Sequence, residues 1–260
     1  MTYGKNALVT GSTSGIGKGV ARALADYGCN IVLNGSRSAD QAEEIRSELE
    51  DSFRVKALYQ QADLRNYDHV VQMVENAAHD LGSIDILVNN AGIQHVSPVE
   101  EFPLDKWEAI IDLNLKAAFY TIKNIVPVMK KRNWGRIVNI ASAHALVASP
   151  HKSAYVSAKH GLAGLTKTVA LETAENGITC NAICPGYVKT PLVEGQIEDT
   201  ANSRGISEDE VVRDVMLHAQ HTKQFTSIED IGQMAVFLCS DAAKNITGSM
   251  LPIDGGWTAH

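Results

Sequence analysis

The stretch Ala7-Leu-Val-Thr-Gly-Ser-Thr-Ser-Gly-Ile-Gly17 decides the fold. Its apolar start reads as a short buried strand, its glycines as a tight turn, and the residues from Ile16 onward as an amphipathic helix. The spacing G-x-x-x-G-x-G leaves bare backbone at a helix N-terminus, where unpaired amides and the helix dipole attract phosphate. A plain strand-to-helix turn also needs small residues, so the stretch gains its meaning from the residues that end the other strands.

Short β-branched runs alternate with longer amphipathic ones along the rest of the chain, the pattern of βαβ units. Candidate strands fall at 7–10, 30–33, 55–60, 84–88, 136–140, 178–183 and 249–253, and helical patterns at 16–27, 40–51, 67–81, 104–131 and 154–175. The expected fold is α/β: a single-domain, Rossmann-like, doubly wound parallel sheet of about seven strands, with helices on both faces, spanning 1–260. The segment 191–226 breaks the alternation, being polar, charged and without a strand. An insertion after a strand's C-terminal end often closes over a site, so a lid is expected, with a surface excursion as the alternative.

The composition, 45% apolar and 20% charged, is that of a globular protein, and a net charge of −7 argues against a nucleic-acid binder. Residues 1–6 lead directly into the first strand, leaving no room for a secretion signal, and no apolar run approaches a membrane span. A cytoplasmic protein is expected. Cys29, Cys180, Cys184 and Cys239 lie in apolar or strand-like surroundings without CxxC spacing, and the nine histidines form no HExxH. These read as small buried thiols, and no metal site is expected.

Ligands of an open parallel sheet bind outside the carboxyl ends of its strands, and the informative residues all come just after strands. The glycine turn follows the first, Asp63-Leu64 the third, Asn89-Asn-Ala-Gly92 the fourth, Ser142 the fifth, and Pro185-Gly186 with Thr190 the sixth. Asn114 is a costly choice inside a helical pattern, as a core amide or as something more. Tyr155 and Lys159, four apart, share a helix face, so an ammonium stands near a phenol and can favour its ionised form.

Together Thr10-Gly-x-x-x-Gly-x-Gly17, Asn89-Asn-Ala-Gly92, Asn114, Ser142, Tyr155-x-x-x-Lys159 and Pro185-Gly186 resemble the classical short-chain dehydrogenase/reductases over essentially the whole chain. The resemblance implies a nicotinamide cofactor held by Gly11, Thr13, Ser14, Gly15, Ile16, Gly17, Asn34, Asp63, Leu64, Asn90, Ala91, Gly92, Tyr155, Lys159, Pro185, Gly186, Val188 and Thr190. It also implies a homotetramer and a catalytic tetrad of Asn114, Ser142, Tyr155 and Lys159. In that scheme Tyr155 exchanges a proton with the substrate oxygen and Ser142 hydrogen-bonds the same oxygen. Lys159 lowers the tyrosine pKa and holds the nicotinamide ribose, and Asn114 anchors a water relay from Lys159.

Asn89-Asn-Ala-Gly-Ile-Gln-His95, Ala141-Ser-Ala-His144, Lys152-Ser-Ala-Tyr155, Pro191-Leu-Val-Glu-Gly-Gln196 and Asp254-Gly-Gly-Trp257 are similar to the bacterial D-3-hydroxybutyrate dehydrogenases of that family. This implies a small hydroxy or keto acid as substrate, its carboxylate held by Gln94, His144, Lys152 and Gln196, with Ser142, Tyr155, Tyr187 and Trp257 completing the pocket. Tyr187 stands where that branch carries tryptophan, which alters the wall rather than the chemistry. An acidic residue ending the second strand normally selects NAD, whereas Val32-Leu-Asn-Gly-Ser-Arg37 offers a neutral Asn34 and an Arg37 that meets either a phosphate or solvent. The resemblance implies NAD. The rivals are an NADP-dependent ketoacyl-carrier-protein reductase, a sugar or alcohol dehydrogenase, and a non-catalytic nucleotide sensor, which needs no Tyr155 and Lys159 pair.

Overall fold

The computed structural model describes residues 3–259, with side chains throughout except at 192, 199–200 and 202–204. Met1 and Thr2, part of the run read as too short for a leader, lie outside the described residues. In chain order the elements are β1 (Asn6–Val9), α1 (Gly15–Asp26), β2 (Asn30–Gly35), α2 (Ala39–Phe53), β3 (Ala57–Gln61), α3 (Tyr67–Leu81) and β4 (Ile86–Asn89). Then come α4 (Leu104–Ile111), α5 (Ala117–Arg132), β5 (Gly135–Ile140), α6 (Ser153–Thr173), β6 (Ile178–Pro185), α7 (Pro191–Arg204), α8 (Glu208–Glu210), α9 (Ile228–Cys239) and β7 (Met250–Ile253).

All pairings are parallel, in the order β3-β2-β1-β4-β5-β6-β7, so the winding reverses between β1 and β4 and opens a crevice at their carboxyl ends. Period-two alternation sends neighbouring side chains to opposite helical layers. Ala7, Val9, Ile31, Leu33, Ile86 and Val88 face one core, with Val20 and Leu24 of α1 and Ile231 of α9. Leu8, Val32, Leu87 and Ile137 face the other, against Met73 of α3, Ile125 and Met129 of α5 and Val169 of α6. Every expected strand is present, its ends displaced by no more than two residues.

The single helix expected over 104–131 is instead α4, a π-helical turn at Asp112–Lys116, and α5. Asn114 lies in that turn, and its side chain closes a two-bond ring with the Ile93 backbone: Oδ1 accepts from N, and Nδ2 donates to O, each at 2.9 Å. An asparagine that ties a neighbouring loop distorts the coil locally, and such π turns gather at functional sites. Helix α9 is an element that the sequence pattern left unmarked. It packs on α1 so closely that a Cβ on Gly19 would collide with Ile228, and one on Gly232 would lie 2.9 Å from the Ala23 Cβ.

The 191–226 segment holds α7, α8 and a second π turn at Val211–Met216. Val193, Ile197, Val211 and Met216 form their own apolar cluster, with Tyr187 and Phe225 packed on it. Among the described residues no helix is long and apolar enough to cross a membrane, and no group of His, Cys, Asp or Glu could hold a metal ion. All four cysteines are buried and none forms a disulfide.

Candidate active site

At the carboxyl ends of the strands, beside the β1–β4 reversal, lies a cavity of about 840 Å³. Gly11, Thr13, Ser14, Gly15, Ile16, Asn34, Asp63, Leu64, Asn90, Ala91, Gly92, Tyr155, Lys159 and Thr190, all among the residues the resemblance assigns to the cofactor, line it. Gly17 lies beneath the loop, where a Cβ would run into the Gly11 carbonyl oxygen and Asn90 Nδ2. Gly11 and Gly15 have φ of 61° and 52°, a region that favours glycine. Asn90 braces the turn: its N donates to Thr10 Oγ1 at 2.9 Å, and its Nδ2 to the Thr10 and Gly11 carbonyls at 3.0 and 3.1 Å. Helix α1 starts at Gly15, with no side-chain cap from Ser14 and no acidic residue in its first turn. Uncapped amides and a positive dipole end beside bare backbone fit a dinucleotide's pyrophosphate.

Asn34 lines the cavity while its side chain also braces the glycine loop. It is buried, its Oδ1 accepting from Gly11 N at 3.3 Å and its Nδ2 donating to Gln60 O at 3.1 Å, so it supports the loop. The surface beyond it is made by Gly35 and Ser36, which the sequence pattern did not single out, nor did it Gln61, Arg65 and His69. Their one sequence signal is proximity to the ends of β2 and β3. Arg37 is exposed, and its carbonyl accepts the Tyr59 hydroxyl at 2.5 Å. Asp63 is bonded by Arg65 at 2.9 and 2.8 Å, and that guanidinium holds its carboxyl below the usual range.

Tyr155 and Lys159 lie one turn apart on α6, with Nζ 5.5 Å from the phenol ring centre. Nζ donates to the Ile140 carbonyl at 2.8 Å. Ser142, just past β5, accepts from His144 N at 3.2 Å. The expected lowering of the tyrosine pKa is not delivered by the protein groups alone. Burial pushes the Tyr155 phenol up to about 12, against an opposing hydrogen bond from Ser142, although the residue is half-buried and lines the cavity. Burial likewise pushes Lys159 down to about 8, so the ammonium titrates near working pH. A cavity of about 10 Å³ lies between Asn114 and Lys159, near the lower limit for one water.

A second cavity of about 100 Å³ shares Ile16, Ala141, Tyr155 and Thr190 with the first. Gln94, Ser142, His144, Lys152, Tyr155, Tyr187, Gln196 and Trp257 all line it, and Pro185, Gly186 and Val188, expected at the cofactor, line it as well. Lys152 Nζ donates to the Tyr187 hydroxyl at 3.2 Å and stands 5.3 Å from that ring's centre. Tyr187 stacks on Trp257 at 5.5 Å, and Trp257 meets His144 edge-on at 5.0 Å. Gln94 Nε2 is buried without a partner. His144 reaches the cavity with both ring nitrogens engaged, Nδ1 by Ser142 Oγ at 3.4 Å and Nε2 by Ser149 Oγ at 2.9 Å. Burial, then the Lys152 charge, pushes His144 down to about 3, so it is neutral. Ser149 was not foreseen, since nothing in its local sequence marks it.

A glycine cradle at a sheet's reversal point, opening onto a serine, tyrosine and lysine cluster, defines a nucleotide-dependent oxidoreductase. The chain belongs to the short chain dehydrogenase family, which residues 5–201 match. Over 256 residues it is 52% identical to a D-beta-hydroxybutyrate dehydrogenase of Rhizobium meliloti (strain 1021), covering 98% of this chain and 99% of that protein. Over 260 residues it is 50% identical to a D-beta-hydroxybutyrate dehydrogenase of Cupriavidus necator, covering all of both. The solved structure of an actinorhodin polyketide ketoreductase variant with NADPH is similar at a TM-score of 0.92 and 30% identity, over 98% of each chain. Family and fold together imply a nicotinamide cofactor.

Proposed function

We propose that the chain interconverts D-3-hydroxybutyrate and acetoacetate with NAD, Tyr155 passing the proton. The observation that carries this reading is the smaller cavity, where an ammonium and two amides converge from different segments: Lys152, Gln94 and Gln196. A buried donor without a partner costs about 1–3 kcal/mol, and an anionic ligand oxygen beside Gln94 Nε2 would relieve it. A cavity of about 100 Å³, against about 840 Å³ for its neighbour, favours a short acid over a carrier-protein arm. The names of the two relatives support the same substrate.

A bound oxidised nicotinamide would supply a hydride acceptor and a positive charge. Tyr155 gives or takes the proton at the substrate oxygen, Ser142 donates a hydrogen bond to that oxygen, and Lys159 keeps a positive group near the phenol. The small cavity beside Asn114 supports a one-water path for protons leaving Lys159. With the protein groups setting Tyr155 at about 12, alcohol oxidation depends on further positive charge in the larger cavity. NAD is favoured over NADP because β2 ends in neutral Asn34 and Gly35, followed by Ser36, and Arg65 is already paired with Asp63.

Gln196 and Val193 reach the smaller cavity from α7, which supports the 191–226 segment as a lid on a single domain. A cytoplasmic homotetramer completes the reading. Leu171 of α6 and Phe119 of α5, 82% and 47% exposed, offer apolar surface for it, and four thiols outside any disulfide suit a reducing compartment.

The test compares 3-hydroxybutyrate with its methyl ester, each with NAD and NADP. The acid should react and the ester poorly, with NAD preferred at least about tenfold in kcat/KM. Lys152→Ala should remove about 1.5–3 kcal/mol, roughly 10- to 150-fold in kcat/KM, for the acid and little for the ester. Equal rates for acid and ester in the parent enzyme overturn the assignment.

A further inference from the structure

The Ser142 hydroxyl has one proton and two lone pairs to distribute. One lone pair takes the His144 backbone N–H at 3.2 Å. What remains, one lone pair and the proton, faces His144 Nδ1 at 3.4 Å, the Tyr155 phenol and the cavity. If Nδ1 is bare, the Ser142 proton turns to it and is lost to a substrate oxygen. If Nδ1 carries hydrogen, it fills the second lone pair, and the Ser142 proton is free to point into the cavity. The protonation of one imidazole therefore sets the direction of the serine hydroxyl.

His144 is neutral, so its single ring hydrogen sits on one nitrogen or the other. The group facing the far nitrogen is Ser149 Oγ, 2.9 Å from Nε2, on the loop before α6. A hydroxyl at that distance can donate or accept. We propose that it donates: Ser149 is a positioning residue that favours the Nδ1–H form of His144 and so leaves the Ser142 proton available to the substrate oxygen. This rests on the reading that Ser142 and Tyr155 serve that oxygen.

The test uses the full-length protein and its Ser149→Ala and Ser149→Thr variants. Nitrogen-15 NMR reads the His144 ring, its signals assigned by their loss in His144→Gln. The parent should show a protonated Nδ1 and a bare Nε2. Ser149→Ala should shift the population toward Nε2–H and lower kcat by up to about tenfold, one neutral hydrogen bond's worth, with KM for the acid little changed. Ser149→Thr, which keeps the hydroxyl, should restore both. An Nε2–H parent, an unmoved tautomer in Ser149→Ala, or a loss confined to KM overturns the proposal. The NMR arm needs no turnover, so it stands apart from the substrate assignment. An active Tyr155→Phe enzyme would defeat that reading while leaving the tautomer result to be judged by itself.

Discussion

The two cavities that meet at Tyr155 are built from different materials. The larger has Gly11, Gly15, Gly35 and Gly92 on its surface and Gly17 packed beneath. The smaller is walled by side chains from separate segments: Gln94 after β4, Ser142 and His144 after β5, Lys152 before α6, Tyr187 after β6, Gln196 on α7 and Trp257 after β7. A glycine loop at a helix N-terminus suits a ligand common to many enzymes, whereas a pocket assembled from distant side chains discriminates among substrates. Damage to the first should therefore change cofactor affinity without changing the preference for a carboxylate, and damage to the second should do the reverse.

The shared wall gives the largest expected effect. Tyr155→Phe should lower kcat by about 10²- to 10⁴-fold, the usual worth of a positioned acid or base, because it deletes the oxygen and little volume. Cofactor affinity, measured by fluorescence titration, should stay near the parent value. A variant that folds and keeps its rate would remove Tyr155 from the chemistry.

Next in size is Gly17→Ala. The new methyl collides with the Gly11 carbonyl and Asn90 Nδ2, so the loop must move, at about 1–3 kcal/mol of strain. Calorimetry should show weaker cofactor binding and a lower Tm, while the acid-to-ester rate ratio stays put. A change in that ratio would mean that the cavities are not separable.

The contrast also explains which features are legible in the sequence. Strand positions and the glycine loop are legible because alternation and glycine spacing are local consequences of backbone geometry, repeated along the chain. The smaller cavity is legible only through resemblance: Gln94 and Trp257 are 163 positions apart, and nothing local joins them. Where tertiary contacts set the outcome, local pattern falls short. Asn114 looks like an unfavourable helix residue, and only its bonds to the Ile93 backbone explain the π turn that divides the expected helix. Asn34 reads from the sequence only as a neutral residue ending the second strand, and its bonds to Gly11 and Gln60 become visible only in the fold. The raised Tyr155 pKa has a similar origin, since burial outweighs the hydrogen bond from Ser142, and burial is not a property of four residues of sequence.

Gln94 sharpens the comparison at a smaller scale, because a purpose-built side-chain site should carry a stability penalty. Its Nε2 is buried with no partner, so Gln94→Met, similar in length and without the donor, should leave Tm unchanged or raise it. The same substitution should lower kcat/KM for 3-hydroxybutyrate by roughly tenfold, one hydrogen bond to a charged group, and hardly touch cofactor affinity. A drop in Tm would make Gln94 a structural residue rather than a ligand donor.

The smallest effect concerns Lys159, which faces the larger cavity but is buried like a core residue. Burial holds its folded-state pKa at about 8, below the ordinary lysine value of 10.5. A depressed pKa means that the unfolded chain binds the proton more tightly. Below pH 8 both states are charged, and the folded state bears the full cost of a buried ammonium. As pH rises through 8, the folded state sheds its proton first, and stability increases until the unfolded lysine titrates as well. Lys159→Met lacks this response, so the variant's stability advantage should shrink on going from pH 8 to pH 9. One proton over one pH unit limits the change to about 1.4 kcal/mol, and partial titration at pH 8 brings it nearer 1 kcal/mol. Urea midpoints of parent and variant at the two pH values give the difference, with other titrating groups cancelling between them. A gap that stays constant would place the Lys159 titration outside this window, and a widening gap would reverse the sign of its shift.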